Sequence, residues 1–300
     1  MLTFMKKIQA KKPIVFIGSG ITKRYFRNIP DWKDLLLKIW SEVGYLEDFY
    51  VKYYELEKKF GINNTFDINI RLAEDLQSKY NDAFFCRKIE MKNLTLKEAY
   101  ENSINPFKLR IANEFSDLEL DKKYSTEIVY FCEMIKNVKT IVTTNYDTFI
   151  ENCYKKEKIP LEIYLKDCNF LNNKANCTEL YKIHGSIDDV NSIVITKNDY
   201  KKNEKESILI NAKILAKITE SPLIFLGYSL ADRSIQNMLS GLTEASCCDI
   251  SEIAARIGVV KYDKDNMNID ETIKEMNNMN LFYTSIKTDN YIELYKKLIK

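Results

Sequence analysis

The chain contains several short runs of apolar and β-branched residues bounded by proline, glycine or asparagine. These runs lack the apolar–polar alternation of a strand with one wet face. They are typical of strands buried on both faces of a parallel sheet. The sequence predicts strands at residues 13–17, 140–144, 180–183, 192–195, 223–226, 257–260 and 281–285.

Amphipathic helical patterns lie between several of these runs. In residues 31–43 apolar side chains recur every three or four positions, and Asp31 stands where an N-cap is expected. The same spacing appears in residues 230–242 and 291–299. Strands that alternate with helices predict an α/β fold with a doubly wound, mostly parallel, Rossmann-like sheet.

One long stretch departs from this alternation. Residues 45–121 are rich in Tyr, Phe, Leu, Lys and Glu and show mostly helical patterning. We interpret them as a helical insertion or subdomain within a single domain that spans residues 1–300.

Charge and cysteine usage exclude several classes of protein. With 45 basic and 43 acidic residues the net charge is only +2, which provides no general attraction to nucleic acid or to an anionic membrane. The longest apolar runs are far shorter than the ~20 residues of a membrane span. The seven cysteines form no C-x-x-C pair, which argues against a disulfide framework and a four-cysteine zinc site. We expect a cytoplasmic protein with no direct nucleic-acid binding, no membrane association and no metal.

The chain has only eight glycines and one histidine. Glycine usage is thus well below the ordinary value of roughly 7%. Four of the glycines fall in three short segments that follow predicted strands, and the histidine, His184, lies in the middle segment. Ligands of open α/β sheets bind at the carboxyl ends of the strands, so these segments predict the functional site.

The first segment is a glycine turn. Gly18, Ser19 and Gly20 follow the first predicted strand, and such a turn lets backbone N–H groups approach a pyrophosphate. The dehydrogenase fingerprint is incomplete, because Lys23 stands at its third glycine, and the Walker pattern is absent. An ordinary strand-to-helix turn is the alternative.

Polar residues follow three further predicted strands. Each group has a structural alternative: a turn for Asn and Asp, a buried hydrogen-bonded histidine, and a helix cap for the last aspartate. A histidine at this edge of the sheet also suits a general base. The three groups are Thr144, Asn145 and Asp147, then His184, and then Gly227, Tyr228, Ser229 and Asp232.

Together these segments resemble the sirtuin superfamily, and more closely the SIR2-like domain of bacterial antiviral defence NADases. Residues 18–22 and 29–32 look like the nucleotide loop and its Ile-Pro-Asp-aromatic continuation. Residues 144–147 match the loop that carries the catalytic asparagine, and residues 184–186 match the catalytic histidine segment. Residues 227–229 resemble the later phosphate and ribose loop, and the four motifs occur in family order.

The resemblance implies an NAD+ glycohydrolase with two catalytic residues. Asn145 would orient the ribose hydroxyls or the attacking water, and His184 would act as general base. NAD is implied as substrate, and no metal is required. The residues implied to bind it are Gly18, Ser19, Gly20 and Thr22 at the pyrophosphate, Asp31 and Trp32 at the nicotinamide, Thr144 and Asp147 beside the catalytic asparagine, and Gly227, Tyr228, Ser229 and Asp232 at the phosphate or adenosine ribose.

The sequence also departs from the deacylases of this superfamily. The cysteine pairs of their zinc module are missing, Lys33 replaces the usual arginine after Trp32, and Thr144 replaces the usual glutamine. These differences argue against lysine deacylation. The alternatives are an NAD-dependent transferase of the ADP-ribosyltransferase or deacylase type, and a non-catalytic module that senses NAD or ADP-ribose. The resemblance also implies an effector of anti-phage defence that acts as a homo-oligomer, with a possible regulatory partner protein or sensor domain.

Overall fold

The computed structural model describes residues 3–27, 29–44, 47–165, 177–230, 232–245, 250–276 and 281–299. The chain divides into two units. Unit 1 comprises Met1–Arg27, Glu119–Ile183 and Glu206–Lys300, and unit 2 comprises Asn28–Leu118 and His184–Lys205.

A single sheet organises unit 1. Its eight described strands lie in the order β3-β4-β2-β1-β5-β6-β8-β7. All neighbouring pairs are parallel except β7, which runs antiparallel to β8 at one edge. The mostly parallel sheet predicted from the sequence is therefore confirmed. The strands are β1 Ile14–Ile17, β2 Thr140–Thr143, β3 Leu161–Tyr164, β4 Thr178–Lys182, β5 Leu223–Leu226, β6 Ile257–Tyr262, β7 Asp270–Met276 and β8 Leu281–Thr288.

Helices cover both faces of this sheet, which explains why the central strands β1 and β5 consist of apolar residues only. Val15 of β1 packs in a core with side chains of α1, α8, α9 and α14, whereas Phe16 packs in a core with side chains of α11 and α12. The helices of unit 1 are α1 Phe4–Ala10, α2 Ser19–Tyr25, α8 Ser125–Lys136, α9 Phe149–Lys156, α11 Ile208–Glu220, α12 Arg233–Ala245, α13 Ile250–Ala254 and α14 Tyr291–Ile299.

Unit 2 is helical. As predicted, Asp31 caps α3 by accepting a hydrogen bond from Asp34 N at 2.8 Å, and the helix ends at Gly44 with a left-handed φ of +68°. No helix in the described part of either unit combines the length and hydropathy of a membrane span. The helices of unit 2 are α3 Trp32–Val43, α4 Phe49–Phe60, α5 Thr65–Phe85, α6 Leu96–Glu101, α7 Pro106–Glu114 and α10 Lys197–Glu206, the last residue of which belongs to unit 1.

The strand predicted at residues 192–195 is wrong. Ser192 ends a short 3-10 helix, Val190–Ser192, and residues 193–195 form a loop outside the described sheet. These apolar side chains are buried within the helical unit instead, and burial alone does not distinguish a loop from a strand.

Other differences have local causes. The helix predicted from residue 230 begins at Arg233, because Leu230 has a left-handed φ of +58° that an α-helix cannot include. The sequence analysis missed β3 and β7, which are the two edge strands. The exposed, charged β7 lacks the apolar run that marks a central strand.

Candidate functional site

The two glycine loops of unit 1 meet at the carboxyl edge of the sheet. β1 and β5 are parallel neighbours, with Ile17 beside Leu226, so Gly18 and Gly227 leave the sheet side by side. Gly18 N donates to the Leu226 carbonyl at 2.9 Å, and Gly20 N donates to the Gly227 carbonyl at 2.8 Å. Backbone hydrogen bonds thus join the first loop to the late loop.

Only glycine fits at this contact. A Cβ on Gly20 would lie 2.7 Å from the Gly227 carbonyl oxygen, and a Cβ on Gly227 would lie 2.4 Å from Ile21 N. Gly227 also has a left-handed φ of +63°. The backbone N–H groups of Gly18 and Gly20 already form hydrogen bonds with carbonyls of the protein. These two glycines therefore shape the loop, and their N–H groups do not serve as donors to a ligand.

Asn145 follows β2, the other neighbour of β1. Its backbone N–H donates to Thr143 Oγ1 at 3.0 Å, and its side-chain nitrogen donates to the Gly18 carbonyl at 3.2 Å and to Thr22 Oγ1 at 3.0 Å. A carbonyl can only accept, which fixes the amide orientation. The opposite atom, Asn145 Oδ1, is buried and has no hydrogen-bond partner among the described residues.

Thr22 links this asparagine to Asp147. The Thr22 hydroxyl donates to Asp147 Oδ2 at 2.9 Å, and Phe149 N donates to Asp147 Oδ1 at 3.0 Å. Thr22 and Asp147 are both buried. The single hydroxyl proton of Thr22 is therefore used within the protein, in a role different from the phosphate contact expected from the sequence.

Lys182 is a site residue that the sequence analysis missed. Its buried ammonium lies 2.7 Å from the Asp147 carbonyl oxygen and 3.3 Å from that of Tyr146, so it holds the loop after β2. It also pairs with Glu151 at 2.6 Å. Burial raises the pKa of Glu151, although the lysine opposes that shift. The sequence feature that could have identified this residue is its position, because it is a lysine within the apolar run at residues 180–183.

Tyr228 packs its ring against the sheet, with its centroid 4.7 Å from that of Phe16 and 5.6 Å from that of Phe225. Its hydroxyl is buried without a partner among the described residues. Burial raises the pKa of this phenol well above its ordinary value, and the charge of Asp232 adds to the shift. Tyr228 is therefore neutral at physiological pH.

The remaining predicted residues of unit 1 lie around these groups. Ser19 and Ser229 are exposed, and Thr144 is half-buried. Asp232 is buried just before α12, and its carbonyl accepts a hydrogen bond from Gln236 N at 3.0 Å.

His184 belongs to unit 2 and directly follows Ile183, the last residue of the unit 1 segment that contains β4. It is buried, its carbonyl accepts from Val194 N at 2.9 Å, and its ring meets the Tyr200 ring edge-on at 5.2 Å. The next residue, Gly185, has a φ of +88°, and a Cβ there would lie 2.3 Å from the Ser192 carbonyl oxygen. The histidine thus occupies a tight turn that requires glycine.

Asp31 and Trp32 also belong to unit 2. Asp31 is exposed and caps α3. Trp32 packs edge-on against Phe66 at 5.9 Å, and its indole Nε1 is buried without a partner in the described part of the chain. Both lie at the start of one helix, as expected.

The predicted residues therefore fall into two groups. Unit 1 brings the two glycine loops, Thr22, Asn145 and Asp147 together through backbone and side-chain hydrogen bonds. His184, Asp31 and Trp32 lie in unit 2. The described residues contain no group of three or more His, Cys, Asp or Glu side chains that could hold a metal ion.

Part of the chain matches a known protein family. Residues 139–276 match the family described as the SIR2-like domain. Slightly less than half of the chain is thus similar to a SIR2-like domain. The match includes Asn145, His184 and the late loop at Gly227, and the glycine turn at Gly18 precedes it.

Two curated proteins are similar to part of this chain. One, named NAD(+) hydrolase ThsA, from Enterococcus faecium, is 32% identical over 107 residues, which is 35% of this chain and 22% of that protein. Another of the same name, from Cytobacillus dafuensis, is 26% identical over 104 residues, or 34% of this chain and 21% of that protein. The matched region thus spans about a fifth of the length of these relatives.

Proposed function

We propose that this protein is an NAD+ glycohydrolase that splits NAD+ into nicotinamide and ADP-ribose. The observation that carries the proposal is Asn145 Oδ1, a buried acceptor without a partner among the described residues. Asn145 lies beside the glycine turn at Gly18 and within the residues that match the SIR2-like domain. A buried polar atom without a partner is costly unless a ligand or water satisfies it. Similarity to two proteins named NAD(+) hydrolase supports the same activity.

The reaction requires little chemical machinery from the protein. Nicotinamide leaves with the electron pair of the C–N bond, and water adds to the anomeric carbon of an oxocarbenium-like ribose. Asn145 Oδ1 accepts a hydrogen bond from a ribose hydroxyl or from the attacking water, and its negative dipole end favours the developing cation. His184 accepts the proton that the water loses.

Other site residues bind and orient NAD in this proposal. The exposed hydroxyls of Ser19 and Ser229 reach the phosphates or the adenosine ribose, with Gly227 allowing close approach of the backbone. Trp32 borders the nicotinamide. Thr22 and Asp147 act on the reaction through the orientation of Asn145.

The proposed biological role is an NAD-depleting effector in bacterial anti-phage defence. We propose a homo-oligomer under the control of a partner protein or sensor domain, because an unrestrained NADase would deplete its own cell. Residues 1–300 would form one SIR2-like domain with residues 45–121 as its helical insertion; residues 45 and 46 lie outside the described residues. Light scattering with parallel NAD turnover tests the assembly.

Product analysis tests the activity. Incubation with NAD+ should yield nicotinamide and ADP-ribose in equal amounts by chromatography, with no acceptor added. Asn145→Ala and His184→Ala should each lower turnover, the latter by about 10²–10⁴-fold as for other general bases. Asn152→Ala, an exposed asparagine of the same unit, is the matched control and should retain full turnover.

Two results would contradict the proposal. Tight NAD binding without nicotinamide release by the assembled protein would indicate a sensing module. Nicotinamide release that requires an added acceptor would indicate a transferase.

A further inference from the structure

We infer that Lys108, on α7 of unit 2, is a positioning residue for His184. The effect on turnover rests on the proposed function, whereas the effect on the position of the histidine does not.

Lys108 is a buried charge with two defined acceptors. Only 6% of the residue is exposed. Its ammonium lies 2.6 Å from the Ile193 carbonyl oxygen and 2.6 Å from Asp199 Oδ1. A buried ammonium that loses its hydrogen-bond partners strongly destabilises the folded protein. Lys108 therefore resists any movement of its two acceptors away from it. Both acceptors belong to the segment that follows the His184 turn.

Asp199 transmits this constraint along that segment. Its Oδ2 accepts from Ile195 N at 3.3 Å and from Thr196 N at 3.0 Å, while its own N–H donates to Thr196 Oγ1 at 3.1 Å. These bonds fix the first turn of α10. Lys108 therefore holds residues 193–199 at both ends, through its hydrogen bond to the Ile193 carbonyl and its ion pair with Asp199.

The residues next to the two acceptors contact His184. Val194 follows Ile193 and donates its N–H to the His184 carbonyl at 2.9 Å. Tyr200 follows Asp199 and presents its ring to the His184 imidazole, with 5.2 Å between centroids and planes at 79°. One contact holds the backbone of the histidine and the other limits its ring. Loss of the Lys108 ion pair should loosen both.

The test uses the fact that His184 is the only histidine among the 300 residues. Histidine-selective isotope labelling, in protein purified without a polyhistidine tag, gives one set of imidazole NMR signals. Tyr200→Leu identifies the ring-current contribution to these signals. Lys108→Met keeps the aliphatic stem without the charge and should move them toward the Tyr200→Leu position.

The matched control is Lys38→Met. Lys38 forms an ion pair with Glu114 in the same unit at 2.8 Å, but it is half-exposed and neither residue has a described contact with the His184 segment. The imidazole signals of Lys38→Met should match those of the wild type. Lys108→Arg can donate to both acceptors and should restore the wild-type signals at least in part.

Turnover provides the second measurement. Lys108→Met should lower kcat by about 10–100-fold with KM for NAD changed less than about twofold, because a misplaced catalytic group affects the chemical step. In a His184→Ala background the same substitution should have no further effect. If Lys108→Met does not fold, the charge-neutral pair Lys108→Met/Asp199→Asn replaces it.

Unchanged imidazole signals in folded Lys108→Met, or in the double variant that replaces it, would overturn the inference, as would a further loss of turnover in the His184→Ala background. If the wild type does not hydrolyse NAD but the signals move as expected, the proposed function fails and the positioning role of Lys108 stands.

Discussion

The hydroxyl of Thr22 donates its one proton to Asp147 Oδ2 at 2.9 Å. It can therefore only accept from the Asn145 side-chain nitrogen, which lies 3.0 Å away. The buried carboxylate thus sets the direction of the hydrogen bonds that turn Asn145 Oδ1 away from the Gly18 carbonyl. If the side-chain oxygen and nitrogen of Asn145 exchanged places, two acceptors, Asn145 Oδ1 and the Gly18 carbonyl oxygen, would face each other.

Thr22→Val should lower NAD turnover by about 10–100-fold, because an asparagine displaced by a fraction of an ångström loses its alignment. The Asp147 carboxylate also loses a buried donor, which costs roughly 1–3 kcal/mol of stability. Thr22→Ser keeps the hydroxyl and should retain most of the turnover. Steady-state kinetics and urea unfolding of both variants check this. A loss in Thr22→Ser as large as that in Thr22→Val would contradict the prediction, because serine keeps the hydroxyl that bonds to Asp147 and Asn145.

Gly227→Ala should destabilise the protein and raise KM for NAD, because its Cβ would lie 2.4 Å from Ile21 N. Gly44→Ala is the matched control. Gly44 has a similar φ of +68°, but a Cβ there meets nothing within 4 Å, so only the backbone strain of roughly 1 kcal/mol applies. Thermal melting should show the larger loss for Gly227→Ala. Similar losses would mean that the contact between the loops relaxes easily.

Tyr228→Phe should have little effect on stability at pH 7, since the hydroxyl has no partner among the described residues. In the wild type, burial raises the pKa of the Tyr228 phenol in the folded protein. The contribution of the neutral phenol to stability is therefore complete below pH ~10, the ordinary pKa of tyrosine, and is lost as pH rises further. The variant should therefore lose less stability above pH 10, by up to about 1.4 kcal/mol per pH unit. Urea unfolding at pH 8 to 11 measures this, with the exposed Tyr100→Phe as control. Parallel curves for Tyr228→Phe and wild type would contradict it.

Lys182→Met should destabilise the protein by roughly 3–5 kcal/mol, because it leaves Glu151 and the Asp147 carbonyl without their buried partner. The double variant Lys182→Met/Glu151→Gln removes both charges and should recover part of this loss. Denaturant unfolding of the two variants checks the prediction. A double variant less stable than the single one would show that Glu151 is stabilising on its own.

Chelation should leave turnover unchanged, because the proposed hydrolysis requires no metal. Exhaustive dialysis against EDTA followed by the NAD assay checks this, together with elemental analysis of the purified chain. About one tightly bound zinc per chain, or loss of activity restored by zinc, would refute it. Release of acetyl groups from lysine peptides should be absent in the same preparation.

The sequence by itself determined the fold class and predicted a site at the carboxyl edge of the sheet. The apolar runs of β1, β2 and β5 indicated strands covered on both faces, and helices do cover both faces. Asp31 indicated the start of α3 through a local rule of capping. Polar residues after three of the strands were enough to predict where Asn145 would stand.

Only the tertiary structure decided which groups meet. β1 lies between β2 and β5, and this order brings Gly18 to both Asn145 and Gly227. The partners of Lys182 and Lys108 could not be predicted from the sequence either, since Lys108 and Asp199, for example, are 91 positions apart. A sequence pattern reports the period and burial of a segment, but hydrogen bonds and ion pairs depend on distances that the folded chain alone sets. For the same reason, the apolar run at residues 192–195 indicated burial correctly and strand pairing wrongly.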